Sequence, residues 1–529
     1  MARVDTGQTC EAIMYSRRTV LHSAAVAGLG GVLLGGVSWS RASAAETRTV
    51  RALLPSASHD ALAVKVLLDT PPFAAPVLTI DGRQAAAQQM DVDGYAWGFV
   101  QKGLKGGTTH ELTLTDEFGA ALRAPWQLKT LPDLDDLPER FRILFFTCAG
   151  GDEAKSALAV NTRRALFDRA LSFSPDLAVA NGDHIYWDLD TALKIRGSAR
   201  TLARNEEIYR RIAWIDQDLE FDSETNRRSL NTVIGRQIAS IYEDRFASVP
   251  LVFISDDHDY FENDNGGTWG YTFPPRPFTL NLQRRAAAMA YPFALGRPKL
   301  PGGSLTSETV EAVRIGKLVE LALFDCRRGW DTKTGNGMLF PEVERFLIER
   351  LHRSEASQYI HVPSVPFGWT AGKLGDWYED RPPLGTSYGD KEFWPASWFD
   401  QHQRLIKALT EQRERPAITI SGDIHASGAK RFTRSGNIDL ATNPVEAILA
   451  GTIGTATGWP SHGRGMFAST PGKLLGTDLA ETQEKNGFTL FDVTPDYIEV
   501  RQFSWRPPEP IEAIASLKPY ATFRIERRA

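Results

Sequence analysis

The sequence predicts an α/β domain built on a parallel sheet and preceded by a small β-sandwich, and three features carry that expectation. Five short apolar runs, Phe141 to Thr147, Leu177 to Ala180, Leu251 to Ser255, Val319 to Phe324 and Ala417 to Ser421, are long enough for strands buried on both faces and too short for helices. Asn161 to Phe173 carries apolar residues at helical spacing before Ser174-Pro175-Asp176, so a crossover helix joins the first two runs into a βαβ unit. Upstream of Pro132 the pattern changes to short alternating segments separated by turns, as in a sandwich of antiparallel strands.

Taken in order, the chain opens with Ser16-Arg17-Arg18-Thr19-Val20-Leu21, a Gly- and Ala-rich apolar run to Val37, and Ala42-Ser43-Ala44. This resembles a twin-arginine export signal with a small-residue cleavage site, which predicts removal of residues 1–44, passage through the twin-arginine translocation machinery and a periplasmic or secreted product. The alternative is a membrane anchor of about 20 residues, against which stand the glycines between Gly28 and Gly36 and the lack of a stop-transfer flank.

Residues 45–132 contain Ala61 to Leu68, Val77 to Ile80, Tyr95 to Val100 and Glu111 to Thr115, with turns at Asp81-Gly82, Asp93-Gly94 and Lys105-Gly106-Gly107, and predict a fibronectin- or Ig-like sandwich. The polar linker Leu131 to Arg140 closes it. In the α/β domain, residues 140–505, a mostly helical insertion runs from Thr191 to Val249 and includes Arg236 to Phe246. Asp259 to Pro275 reads as a loop, and Pro341 to His352 and Trp398 to Glu411 read as helices. The tail, residues 506–529, carries Pro507-Pro508 and Pro510 before a short helix; its role is not read from sequence, a regulatory lid over the site being one hypothesis.

Composition narrows the function. A chain of 529 residues with 42% hydrophobic and 24% charged residues suits a globular protein of two or three domains. A net charge of −5 and a pI near 6.1 give no basic field, so nucleic acid is not the expected partner. Three cysteines make no disulfide scaffold; Cys10 lies in the leader, and Cys148 and Cys326 each follow a strand.

The strand ends are where chemistry concentrates. Cys148 follows the first run; Asp183, His184 and Tyr186 the second; Asp256-Asp257-His258-Asp259 the third; Asp325-Cys326-Arg327-Arg328 the fourth; Asp423 and His425 the last. Alone, each is ordinary turn chemistry or a buried cysteine. Together they are metal-binding residue types at the carboxyl ends of parallel strands, where α/β sheets gather their ligands.

In that order, Cys148, GDHIY at Gly182 to Tyr186, VPLVFISDDHDY at Val249 to Tyr260, FDCRR, the helix with Arg404, SGDIHAS at Ser421 to Ser427 and the closing NGFTLFDVTPDYIEV resemble the alkaline phosphatase D (PhoD-like) branch of the metallophosphoesterases. The resemblance implies an αββα sandwich catalytic domain. It implies Fe(3+) on Cys148, Asp183, Tyr186 and His425, and Ca(2+) on Asp183, Asp257 and Asp423, whose oxygens suit a hard cation. It implies catalysis by His258 with Asp257, His258 serving as the leaving-group acid and Asp256 or Asp259 as its orienter. Arg327 becomes the substrate-binding candidate, since its fork matches phosphate. Ser255 and Asp259 depart from the family's usual Trp and Glu. Phosphomonoesters, phosphodiesters and phospholipid head groups, the last through a phospholipase D-like activity, all fall within the resemblance. Two other classes stay open: a Cys148-nucleophile hydrolase and a non-catalytic exported binding protein. His184, His361, His462, Trp187, Trp269, Trp369, Trp394 and Trp398 read as structural or core.

Overall fold

The computed structural model describes residues 48–155, 157–187, 213–260, 275–330, 337–369, 396–455, 468, 470 and 472–528. The expected export signal, His462, Trp269, Trp394, the start of the insertion after Thr191 and most of the loop after Asp259 lie outside them.

The first described segment forms two four-stranded antiparallel sheets. One orders Val50–Ala57, Ala61–Leu68, Ala96–Lys102 and Ala86–Gln89; the other orders Arg83–Gln84, Val77–Ile80, Thr109–Thr115 and Trp126–Lys129. Thr109–Thr115 alternates between outward polar residues and buried His110, Leu112 and Leu114, the period of a half-buried strand. Asp81 and Gly82 both take positive φ, 49° and 74°, which closes the tight turn between Val77–Ile80 and Arg83–Gln84 with the twist a hairpin needs. Lys65 anchors this sandwich to the rest: its Nζ donates to the carbonyls of Ala287 and Ala288, 2.6 Å each, at the C-terminal end of the helix Pro277–Ala290. Burial pushes this amine down to about 7.

Two larger sheets follow. The six-stranded sheet orders Leu251–Ile254, Leu177–Asn181, Phe141–Phe146, Asn486–Val493, Tyr497–Trp505 and Ala521–Glu526, of which the first three run parallel. The eight-stranded sheet carries a parallel run, Val319–Phe324, Gln358–Pro363, Ala417–Ser421 and Val445–Ala450, flanked by antiparallel strands. Ile143, Phe145 and Val179 from one sheet share a buried cluster with Leu321, Val362 and Ile420 from the other. The intervening residues point away: Leu144, Phe146 and Ala178 meet Leu166, Phe167 and Leu282 of covering helices, while Ala322, Phe324 and Tyr359 meet Leu347, Leu351 and Leu405. The result is four layers, αββα. Phe146 and Phe167 pack edge to face at 4.9 Å, and truncating Phe146 to Ala costs about 3–5 kcal/mol.

Three expectations are corrected or refined. Arg236 to Phe246 is not one helix: an α-helix Glu224–Ile234 passes into a π-helical turn Gly235–Ala239 and a short helix that ends where Glu243 adopts φ 44°. The tail is not a lid. Its short helical turn Ile511–Ser516 lies beside the helix Val160–Leu171, with Arg169 holding the Leu517 carbonyl, and Ala521–Glu526 extends the six-stranded sheet by pairing with Tyr497–Trp505. Trp187, Trp369 and Trp398 are fully buried core residues.

Candidate metal centre

Parallel pairing places the ends of Phe141–Phe146, Leu177–Asn181 and Leu251–Ile254 side by side. Asn181 then joins the two sheets at that edge, its Nδ2 donating to the Pro363 carbonyl at 2.9 Å and to that of Ile420 at 3.4 Å. The tips of both sheets therefore meet at one end of the sandwich.

Each tip turns sharply. Cys148, Asp183 and Asp423 have φ of 51°, 58° and 62°, a left-handed conformation costing an L residue about 1–2 kcal/mol. Surrounding structure holds them there, and a neighbouring glycine makes room in two cases. A Cβ on Gly422 would lie 2.1 Å from the Asn181 carbonyl oxygen, and one on Gly182, itself at φ 85°, would lie 2.5 Å from Asp256 Cβ. Strained residues cluster where a side chain must be aimed.

The aimed groups converge. Ligating atoms of Cys148, Asp183 and His425 lie within 4.8 Å of one another, as do those of Asp183, Asp257 and His258, and those of Asp256, Asp257 and Asp423. Cys148 Sγ donates to Asp183 Oδ2 at 3.3 Å, and Tyr186 Oη donates to the same oxygen at 3.2 Å. All six proposed ligands, together with His258 and Arg327, thus belong to one assembly. Burial, then the charge of Asp183, pushes the Cys148 thiol and the Tyr186 phenol up; burial and the carboxylates of Asp257, Asp259 and Asp423 push Asp183 up, against the pull of His258. Asp183 Oδ1 and Asp423 Oδ2 are buried without a hydrogen-bond partner. Soft and hard anionic donors facing one another, two with an unpartnered oxygen, fit cations: a cation supplies the charge that burial withholds.

A supporting layer holds the tips. Asp259 accepts from the backbone N–H groups of Asp183, His184, Ile185 and Asp256 and from Tyr291 Oη, at 2.6–3.1 Å. It fixes two ligand loops. Gln237 Oε1 accepts from Gly151 and Tyr186 N–H at 2.8 Å each, tying the loop after Cys148 to the loop of Tyr186 from within the π-helical turn. Arg163 is buried and donates to the carbonyls of Ala149, Gly150 and Gly151 at 2.9–3.2 Å. Sequence patterning missed Gln237 and Arg163, because polar residues on amphipathic helices ordinarily face water.

Arg327 requires a correction. Its guanidinium is 0% exposed and engages Asp256 with Nε at 2.7 Å, so it is a buried ion-pair member rather than an open phosphate clamp. Asp256 is held by that pair. Arg328 is likewise held inside, by Tyr260 Oη at 3.0 Å and Glu308 at 2.6 Å. His184 is structural: its Nε2 lies 2.9 Å from the Ile254 carbonyl and its ring stacks on Phe253 at 4.0 Å. His361 is buried, and pushed down to about 3 by that burial. Cys326 is buried, belongs to none of the cation-holding groups among the described residues, and is pushed up to about 12 by that burial.

No protein-family model and no curated protein matches the sequence. Solved structures do match. The structure of PhoD aligns with TM-score 0.60 and 16% identity, covering 90% of this chain and 90% of that one. Purple acid phosphatase PPD1 from yellow lupin (Lupinus luteus) seeds aligns with TM-score 0.54 and 14% identity, covering 90% of this chain and 74% of that one. This chain has the metallophosphoesterase fold. Within the metallophosphoesterase fold the αββα layers described above present their shared strand edge, and Cys148, Asp183, Asp257, Asp423 and His425 stand on that edge.

Proposed function

We propose that the chain is a metal-dependent phosphoesterase hydrolysing phosphomonoesters, phosphodiesters or both. One observation carries the reading: thiol, phenol, imidazole and carboxylate groups from both sheets meet at the edge of a metallophosphoesterase fold, with Asp183 Oδ1 and Asp423 Oδ2 buried and unpartnered. Cys148, Asp183, Tyr186 and His425 would hold Fe(3+), which thiolate and phenolate suit; Asp183, Asp257 and Asp423 would hold Ca(2+), which takes oxygen ligands. Bound there, such cations would neutralise phosphoryl oxygens and lower the pKa of a water towards about 7.

The chain's own residues supply the rest. Asp183 belongs to two ligand groups and so couples them. The His258 ring lies over the Tyr186 ring, centroids 4.1 Å apart, beside the ligands, and its backbone N–H donates to Asp257 Oδ1 at 3.0 Å. From there it would serve as the acid that protonates the departing oxygen. A Cys148 nucleophile is disfavoured, because this thiol is fully buried and burial pushes it up, whereas reactive thiols are accessible and pushed down. We further propose that residues 1–44 export the protein; fractionation of cells expressing the full chain and an R17K/R18K variant tests it, and equal export of both would refute it.

The deciding experiment is elemental analysis of the purified protein together with turnover of an aryl phosphate and a bis-aryl phosphodiester. We expect bound metal and activity that chelation and His425→Ala both remove. Turnover persisting in metal-free protein would sink the proposal.

A further inference from the structure

The strand Val50–Ala57 lies at the edge of its sheet and meets the catalytic domain there, its Leu53 N–H donating to the Glu243 carbonyl at 2.8 Å. Two cavities of about 530 and 750 Å³ open along this seam, and Arg51 lines both. None of their lining residues belongs to the cation-holding groups of the metal centre.

Five other arginines line one cavity or the other, and each has a carboxylate of its own. Arg123 pairs with Asp244 at 3.6 Å, Arg164 with Glu243 at 2.5 Å, Arg227 with Asp93 at 3.2 Å, Arg236 with Asp152 at 2.5 Å, and Arg228 with Glu224. Arg51, half-buried, has no ion-pair partner among the described residues. The acid that faces it, Asp69, is engaged by the Thr49 N–H and Oγ1 at 2.9 and 2.6 Å. Burial outweighs the pull of Asp69 and Tyr95 and holds the guanidinium below its usual range. The fold makes room for this cation: a Cβ on Gly235, the first residue of the π-helical turn, would lie 1.9 Å from Arg51 Nη2, so the missing side chain lets the guanidinium rest on the turn.

A partly desolvated cation beside a cavity is relieved by an anion. The neighbouring arginines decide which anion. A guanidinium carries five N–H donors, and Arg228 and Arg236 spend only some of theirs on their carboxylates. A carboxylate ligand is satisfied by one such fork, whereas a phosphate has oxygens enough for several. We propose that the seam between the sandwich and the π-helical turn binds a phosphate-class oxyanion, with Arg51 as its anchor and Arg227, Arg228 and Arg236 lining the larger cavity around it. The site is separate from the metal centre, yet it touches the turn from which Gln237 holds the Gly151 and Tyr186 loops. Free phosphate and the phosphoryl end of a larger molecule share this chemistry.

The test follows the melting temperature of the full-length protein against inorganic phosphate and against phenylphosphonate, with sodium chloride holding the ionic strength constant. It is run on protein as purified and in chelator, where metal ions no longer attract phosphate to the centre. We expect a phosphate-dependent rise that persists in chelator and that Arg51→Gln abolishes there. A rise with phenylphosphonate at least as large assigns the phosphoryl end of a larger molecule; a rise with phosphate alone assigns the free ion. No rise with either in the chelated wild type overturns the proposal without any variant. So does an Arg51→Gln protein that melts cooperatively and keeps the wild-type rise. Neither result bears on the phosphoesterase reading, since this measurement uses no metal and no turnover.

Discussion

The two halves of the centre handle the same problem differently. Around Asp256 the carboxylates are buried against Arg327; the arginine's charge is opposed by burial, yet Asp256, Asp257 and Asp423 hold it above its usual range. Around Asp183 no arginine among the described residues pairs with the carboxylate: Cys148, Tyr186 and Asp183 are pushed up by burial, and the pull of His258 does not bring Asp183 back. Acid count does not separate the halves, since both are acidic. The difference teaches that a cation belongs where the fold leaves anions uncompensated, and that a guanidinium within an acidic cluster compensates the carboxylate it pairs with, here Asp256.

The largest expected effect breaks the uncompensated half. Asp183→Asn removes the carboxylate shared by two ligand groups. Supporting residues of metal sites typically cost 10–100-fold, so loss of this ligand should cost more than about 100-fold in activity on an aryl phosphate, with loss of bound metal. In chelator, the same variant should melt no lower than the wild type, because it deletes a buried group with an unpartnered oxygen. A lower melting temperature in chelator would show that Asp183 is compensated after all.

The compensated half predicts the reverse. Asp256→Asn leaves the fully buried Arg327 without its main partner, and breaking a buried pair this way costs about 3–5 kcal/mol. Urea unfolding of the metal-free protein should show that loss, and an unchanged midpoint would mean the pair is not the fixed unit described here.

A third variant sharpens the boundary between ligand and support. Asp259→Asn keeps the shape but loses the charge that accepts four backbone N–H groups and Tyr291 Oη. We expect a loss of about 10–100-fold in activity, with metal still bound but more weakly. Unchanged metal affinity would separate Asp259 from the site.

How much of this could be read from sequence follows the same division. The tips were legible because ligand types are few and the parallel strand pattern says where they gather. Cys148, Asp183 and His425 come from three separate strands and still meet. The role of Arg327 was not, since adjacent arginines after a strand do not say which carboxylate each will face. Gln237 was hidden because a π-helical turn has no sequence period of its own and redirects a residue that an α-helix would present elsewhere. The edge strand Val50–Ala57 was obscured by Pro55, tolerated there because an edge strand leaves one row of N–H groups unpaired. The tail's strand lies behind a run of prolines, and only its pairing with Tyr497–Trp505 reveals it.

The smallest effect asks whether burial of an anion is by itself enough to make a site. Glu311 is buried, and burial raises it to about 7 against the Gly296 N–H and Arg297. It belongs to none of the cation-holding groups found among the described residues. Its folded value lies above the ordinary 4.5, so the folded state binds the extra proton between those values; stability from this group is present at low pH and is lost as pH rises through 7. Between pH 6 and 7 that loss is about 1 kcal/mol. Glu311→Gln should flatten this slope in urea unfolding while leaving metal content and activity unchanged. If the slope persists, Glu311 is ionised in the fold; if metal content falls, a lone buried carboxylate matters to the centre and the distinction between the two halves must be redrawn around more than local compensation.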